Sequence, residues 1–381
     1  MTTVLVTGHN LVNPLNRARL AELARLPDLA ITALVPHRWT GSHGEDYDLE
    51  RDLEQVGPPA GYRLIAHRVL FRGKNRQHRF LYGPGLARAI EQAAPDLVHI
   101  EEEPYSPVAF QLARAATALR VPFVVTAFQN ISKRFPVPFC WMERWVLARA
   151  RGALCGSPDA LAVLRGKGFA GASFENSLGV DPEVYRPGRD EALRRELAPD
   201  GFAIGFVGRL DPVKGLDHLF AALAGLPGAR LVIVGQGPEE AHLRALADRL
   251  GIAARLTWVP TVPHASVPRY LSALDVVVLP SVTTPSIREQ FGRILVEAMS
   301  CGVPVVGSSS GGIPATIGDA GVVVPEGDPE ALRAALADLA LRPARAQELA
   351  LAGRARVLER FTWGAIARRI AGFYREVLGP R

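Results

Sequence analysis

Short apolar runs rich in β-branched residues recur along this 381-residue chain, each ended by a turn and many followed by helical periodicity. In the first half they are Val4–Gly8, Ile31–Pro36, Arg63–Leu70, Asp96–Glu101, Phe123–Phe128 and Gly152–Ser157. Continuously apolar runs of this length fit strands buried on both faces. Asn16–Leu26, Pro84–Ala94 and Ser106–Leu119 read as helices between them. Strand–helix–strand alternation implies a parallel sheet with right-handed crossovers. The stretch Ala172–Gly188, with its turn residues and prolines, reads as a linker. The same grammar restarts at Phe202–Arg209, Arg230–Gly237, Arg255–Pro260, Asp275–Ser281, Pro304–Ser309 and Gly321–Pro325. The expected fold is α/β: two Rossmann-like, doubly wound parallel-sheet domains facing across a cleft, residues 1–171 and 172–362. In such sheets ligands sit beyond the carboxyl ends of the strands.

Composition changes this picture little. Hydrophobic residues make up 48% and charged residues 22%, which fits an ordered globular chain of more than one domain. The N-terminal segment turns polar after a few apolar residues, and no run approaches the ~20 residues of a membrane span. Cys140, Cys155 and Cys301 have no metal or disulfide spacing, so a reduced cytoplasm is the expected compartment. Net charge is +6, and Arg63–Arg79 holds six Lys/Arg and no acid. That run is either a solvated loop face or a patch for phosphates or anionic lipid. Nothing resembling a zinc finger or an RNA-binding aromatic signature accompanies it, so nucleic acid is not an expected partner.

Candidate chemistry collects at the strand ends of the second half. After Phe202–Val207, Gly208 permits close backbone approach, Arg209 leaves the strand tip, and Lys214 precedes a helix. Two cations beside a helix start suit a diphosphate, or else solvate a loop. The Gly-Gln-Gly-Pro turn after Val234 is a weak phosphate-loop signal. His264 reads as a capping or surface histidine. In SVTTPSIREQFGRILVEAMS, Glu289 stands in a loop, while Phe291, Gly292 and Arg293 open a helix whose amides suit an anion. Glu297, inside that helix, is rigid enough to accept hydrogen bonds from paired hydroxyls such as those of a ribose. Both glutamates equally suit a helix N-terminal region. The serines of Ser308–Gly312 read as satisfying backbone groups, since no Ser-His-Asp arrangement is visible.

The combination FVGRLDPVKGLDHLFAAL, LVIVGQGPEE and EQFGRILVEAMSCGVPVVGSSSGGIP resembles the retaining glycosyltransferases of family 4, which have the GT-B fold. Glu289 and Glu297, eight positions apart, resemble that family's E-x7-E motif. The resemblance covers essentially the whole second half. It implies a nucleotide-diphosphate-sugar donor there, with Arg209 and Lys214 on the diphosphate, Glu289 on the transferred sugar and Glu297 on the ribose. Gly208 and the amides near Phe291, Gly292 and Arg293 would line the donor. Neither cofactor nor metal is implied; Asp46-Tyr47-Asp48 lies in a polar connection. The closing segment 363–381 resembles the family's terminal helix, which returns to the first domain.

The first half departs from the family pattern. Gly8 remains of the glycine-rich loop, with Asn10, Asn13 and Asn16 in place of glycines. No acceptor-side histidine is evident in VVTAFQNISKRFP; Gln129 and Asn130 are the candidates to orient an acceptor. His99 is either a satisfied core histidine or a site residue. Of Glu101, Glu102 and Glu103, neighbours on an extended chain alternate, and Glu103 is favoured because Pro104 fixes the turn. The implied reaction is sugar transfer to a hydroxyl with retention, the leaving diphosphate taking the proton. The aromatic and basic residues of SKRFPVPFCWMERWVLARARG either pack a helix or meet an anionic membrane, which would make the enzyme peripheral and its acceptor lipid-linked. A sugar-nucleotide epimerase and a catalytically silent donor-binding subunit are the competing readings.

Overall fold

The computed structural model describes residues 1–41, 46–56, 61–71, 79–175 and 177–380. The chain forms two compact units, one of Met1–Ser177 with Trp363–Arg381 and the other of Leu178–Thr362. The first is built on a seven-stranded sheet: β1 (Thr2–Thr7), β2 (Leu29–Pro36), β3 (Arg63–His67), β4 (Leu97–Ile100), β5 (Phe123–Ala127), β6 (Gly152–Cys155) and β7 (Ala172–Glu175). The strand order is β7-β6-β5-β4-β1-β2-β3 with every pairing parallel. Every residue of β4 and β6 is buried, because helices cover both faces. Helices α1 (Ala18–Ala24), α2 (Pro107–Ala118) and α3 (Phe139–Leu147) belong to this unit. Ser106 starts α2 by accepting a hydrogen bond from the Ala109 amide at 3.2 Å, with Pro107 in the first helical position.

Two sequence expectations change here. Ala172–Gly188 is not all linker, since Ala172–Glu175 pairs with β6 as an edge strand. Its alternating half-buried and exposed side chains hide it from a search for continuously apolar runs. Arg63–Leu70 is not one strand either: Val69–Leu70 leaves the sheet and pairs antiparallel with Leu81–Tyr82. Of the basic run Arg63–Arg79, residues 72–78 lie outside the described residues.

The second unit holds β8 (Phe202–Val207), β9 (Ala229–Val234), β10 (Leu256–Val259), β11 (Val276–Leu279), β12 (Val305–Ser308) and β13 (Val322–Val324). They form an all-parallel sheet in the order β10-β9-β8-β11-β12-β13. Its helices include α4 (Leu216–Ala224), α5 (Arg293–Ser300) and α6 (Pro343–Arg360). The chain then returns to the first unit as α7 (Trp363–Leu378), where Arg375 pairs with Asp28 at 2.7 Å. A β-carbon at Gly152 would stand 2.6 Å from the Phe373 ring, so α7 lies directly on β6.

Counted from their own first strands, both sheets run 3-2-1-4-5-6, and the first adds a seventh strand. In this order the direction in which strands are added reverses beside the first strand, and the connections after strands one and four splay apart there. The switch points are therefore the ends of β1 and β4 in one unit, and of β8 and β11 in the other.

Candidate active site

At the second unit's switch point, β8 ends at Val207 and delivers Gly208 and Arg209; β11 delivers Ser281 and the loop carrying Glu289. Gly208 still donates its amide to the sheet, to the Val234 carbonyl at 3.0 Å. Leu210 N–H bonds the Gln236 carbonyl at 3.0 Å, so the Gly-Gln-Gly turn fixes the backbone behind Arg209. The Arg209 side chain is exposed and pairs with Asp211 at 3.0 Å. Lys214 ends a short turn before α4 and donates to Glu289 Oε2 at 2.7 Å. Ser281 donates to the same oxygen at 3.1 Å, and the Glu289 carbonyl accepts the Gly312 amide at 3.0 Å. An ammonium has three N–H bonds, so the hold on Glu289 leaves Lys214 able to meet an anion as well. The Ser308–Gly312 turn forms a wall of this region: Ser308 donates to the Ser281 carbonyl, and Ser310 and Thr283 share a hydrogen bond of 3.0 Å.

Helix α5 begins at Arg293, not at Phe291. Gly292 precedes it in the left-handed region, φ 79°, where a side chain costs energy. A β-carbon there would also press on Leu295 at 3.0 Å and Leu279 at 3.1 Å. Phe291 is half-buried with its ring edge-on to Phe361, and its carbonyl accepts from Thr316 at 2.6 Å. Glu297, 5% exposed, lies one turn into the helix and accepts from Arg293 Nε at 2.9 Å. His264 Nε2 is 4.0 Å from the same oxygen, 3.3 Å from Arg293 Nη2 and 3.1 Å from the Tyr185 hydroxyl. His264 is exposed, as expected of a surface histidine, and it also belongs to the Glu297 cluster. Burial raises the Glu297 carboxyl above its ordinary value, and Arg293 and Tyr185 offset this only in part. The His264 imidazolium is disfavoured by burial and by Arg293.

The first unit's switch point brings together different groups. Gly8 ends β1 so close to β4 that a β-carbon would stand 2.8 Å from Glu101 Cβ. His9 follows, and Glu102 Oε1 accepts from its backbone amide at 2.8 Å and lies 2.7 Å from its Nδ1. The His9 ring packs on Trp39 and Phe80 with centroids 5.1 and 6.0 Å away, and 21% of its side chain remains exposed. Burial opposes its charge, but Glu102 raises its pKa above the ordinary value overall. Glu101 pairs with buried Arg19 and accepts from Asn10 at 3.2 Å. Glu103 accepts from the Phe128 and Gln129 amides at 2.8 and 3.1 Å, and burial pushes its carboxyl up to about 7. Strand alternation does not govern these three glutamates, because β4 ends at Ile100 and each then turns to its own partner.

Gln129 is half-buried and Asn130 is buried in the loop after β5 that Glu103 anchors. His99 is fully inside the sheet, one ring nitrogen 2.7 Å from the Tyr374 hydroxyl and the other 2.8 Å from Thr126 Oγ1. Burial, with Arg19 nearby, holds its pKa well below the ordinary value, so it is a neutral core histidine. The aromatic segment is divided: Trp141 and Trp145 meet Phe110 edge-on at 5.1 and 5.2 Å, yet Trp141 is 53% exposed and Val137 79%. A trough of about 470 Å³ beside them is lined by Leu81, Pro107, Phe110, Arg114 and Met142 among others. Asp46–Asp48 forms a short hairpin with Arg38–Thr40. Among the described residues, no group of three or more His, Cys, Asp or Glu could hold a metal ion. No helix of the described residues is long and apolar enough to cross a membrane.

Sequence reasoning missed His9 and Tyr185, favoured Glu103 over Glu102, and set His264 aside as a capping or surface histidine. His9 was the most accessible of them, since it directly follows the glycine ending the first strand. Tyr185 and His264 are 79 residues apart and join only through the fold.

Comparison with known proteins bears on the family and the fold. Residues 189–356 match the family model "Glycosyl transferases group 1", and residues 17–173 match "Glycosyl transferase 4-like domain". The chain is 38% identical over 212 residues to a D-inositol 3-phosphate glycosyltransferase of Segniliparus rotundus, covering 52% of this chain and 46% of that one. A Mycobacterium marinum protein of the same name is 36% identical over 213 residues, 53% of this chain and 44% of its own. The chain thus aligns with less than half the length of these curated relatives. Among solved structures, Anabaena Alr3699/HepE in complex with UDP superposes with TM-score 0.73 at 20% identity, covering 99% of this chain and 100% of that one. Sucrose-phosphate synthase from Thermosynechococcus elongatus gives 0.69 at 22% identity, with 99% of each chain covered.

Proposed function

Because this chain belongs to the family 4 glycosyltransferases of GT-B fold, carrying their group 1 and 4-like domains, we propose that it moves a sugar from a nucleotide-diphosphate-sugar to an acceptor hydroxyl with retention of anomeric configuration. The observation that carries this reading is the second unit's switch point, where Lys214 already holds Glu289 at 2.7 Å and Arg209 stands at the adjoining strand tip. In this reading the donor domain is the second unit and the first is the acceptor side. Arg209 and Lys214 bind the donor diphosphate, Glu289 the transferred sugar, and Glu297 the ribose, with Gly208 and Gly292 lining the path.

The bond from the sugar's anomeric carbon to the diphosphate oxygen breaks, and one from that carbon to the acceptor oxygen forms on the same face. The acceptor's proton passes to the departing diphosphate, whose growing negative charge Arg209 and Lys214 stabilise. Fixed charges aimed at developing charge are often the largest catalytic term. No metal is required in this scheme. On the acceptor side, Glu102 fixes the His9 ring by its Nδ1, an arrangement that orients an imidazole toward a hydroxyl. Gln129 and Asn130, in the loop anchored by Glu103, are further acceptor contacts. The apolar trough beside exposed Trp141, with Arg114 in its wall and Arg149 stacked over Trp145 at 4.2 Å, supports an anionic membrane surface and a lipid-linked acceptor. UDP-sugars are the first donors to try, since the Anabaena structure of similar fold holds UDP.

The test is to incubate the protein with α-linked UDP-sugars and a panel of polyol, sugar and lipid acceptors, reading the product by NMR. An α-linked product supports the proposal. A β-linked product would overturn retention, and an altered nucleotide sugar without any acceptor would favour an epimerase.

A further inference from the structure

The carboxylate read above as the ribose ligand is unusually enclosed. Glu297 sits on α5 with 7% of its side chain exposed, in surroundings that by themselves favour its neutral form. A neutral carboxyl offers one accepting oxygen fewer to a pair of ribose hydroxyls. Three groups converge on it from separate parts of the chain. Arg293, one turn earlier on the same helix, donates its Nε to Oε1 at 2.9 Å. Tyr185, from the opening segment of the second unit, lies beside the carboxylate and draws its pKa down. His264, from the turn after β10, bridges Tyr185 at 3.1 Å and Arg293 at 3.3 Å. Tyr185 is itself fixed, since its carbonyl accepts from Ser300 at 2.6 Å and from Arg354 at 2.9 Å.

We propose that Arg293 is a positioning residue: its guanidinium, backed by Tyr185 and His264, holds the Glu297 carboxylate ionised and aimed for the donor's ribose. The proposal rests on the reading of Glu297 as the ribose ligand. A guanidinium suits this task because it stays charged at any working pH, and its Nε reaches one oxygen while the other remains for a ligand. The other charged or titratable groups bearing on Glu297 point the same way. Tyr185 stays protonated and donates, and burial pushes the Cys301 thiol up to about 12, which keeps it neutral. Arg354, reaching in from α6, adds positive charge behind them. His264 is disfavoured as a cation, so Arg293 is the one full positive charge in contact with the carboxylate among the described residues.

The experiment is titration calorimetry of the whole chain with UDP, GDP, ADP and dTDP from about pH 5.5 to pH 8.5. The wild-type chain, Arg293→Met, Arg293→Lys and Glu297→Ala are compared, with melting temperature checked for each. For whichever nucleotide binds, the wild-type chain gives the reference profile, which carries the nucleotide's own terminal-phosphate ionisation at about pH 6. In Arg293→Met the Glu297 pKa rises further, so affinity relative to the wild type falls toward low pH, by about tenfold per unit below the new value. Arg293→Lys should recover most of the wild-type profile. An Arg293→Met profile merely displaced and parallel to the wild type would overturn the proposal, as a purely structural arginine predicts that. If Glu297→Ala binds nucleotide as the wild type does, the ribose reading fails instead.

Discussion

Carboxylates crowd the junction of β1 and β4: Glu101, Glu102 and Glu103, answered within the same unit by Arg19, His9 and two backbone amides. At the junction of β8 and β11 the prominent groups are cations, Arg209 and Lys214, and Arg209 is 63% exposed. Both sheets share one strand order, so the fold supplies each unit with the same kind of place and leaves its chemistry to the residues at the tips. The first unit spends its charges on itself and offers a polar, locally neutral surface suited to hydroxyls. The second also pairs its cations, Arg209 with Asp211 and Lys214 with Glu289, but Arg209 is exposed and the Lys214 ammonium has further N–H bonds for an anion. That contrast is what a transferase requires when one substrate is a diphosphate and the other an alcohol.

The sharpest way to break the comparison is Arg209→Ala. Turnover should fall by about 10²–10³, the cost of one lost oxyanion donor, with melting temperature unchanged because the side chain is exposed. Steady-state kinetics with a donor and a working acceptor checks it. Next, Glu102→Gln removes the charge behind His9. It should lower turnover roughly ten- to a hundredfold while nucleotide affinity stays put, since the defect belongs to the first unit. Equal loss of nucleotide affinity would erase the division of labour. Gly292→Ala comes third, with about 1–2 kcal/mol of destabilisation in urea from a side chain forced into the left-handed region.

The smallest effect concerns Glu103. Its folded-state value, about 7, lies above its ordinary 4.5, so its contribution to stability is full below about pH 4.5 and lost as pH rises through 7. Glu103→Gln lacks that dependence. Its stability in urea relative to wild type should therefore climb between about pH 5 and pH 8, by an amount on the order of 1 kcal/mol.

The strands at the heart of both sheets were legible because burial on two faces forces continuous apolar runs. β7 was not, because an edge strand buries only part of each side chain. In the second unit, Arg209, Lys214, Glu289 and Glu297 stand at strand ends and helix starts that the pattern marks out. Their partners were hidden: nothing local ties His264 to Tyr185, or Lys214 to Glu289, 75 residues on. In the first unit, His99 was legible only as one of two alternatives, and the hydrogen bond to Tyr374, 275 residues away, resolves it as core. The role of His9 was not legible because the carboxylate that fixes its ring, Glu102, lies 93 residues away.

The most direct test of the account is binding of UDP-, GDP-, ADP- and dTDP-sugars to the intact chain, followed by thermal shift in the wild type and in a Lys214→Ala, Glu297→Ala double variant. The account predicts that one nucleotide family raises the wild-type melting temperature and leaves the folded double variant unmoved. A shift that survives both substitutions would place the nucleotide elsewhere and contradict the assignment of the β8–β11 switch point.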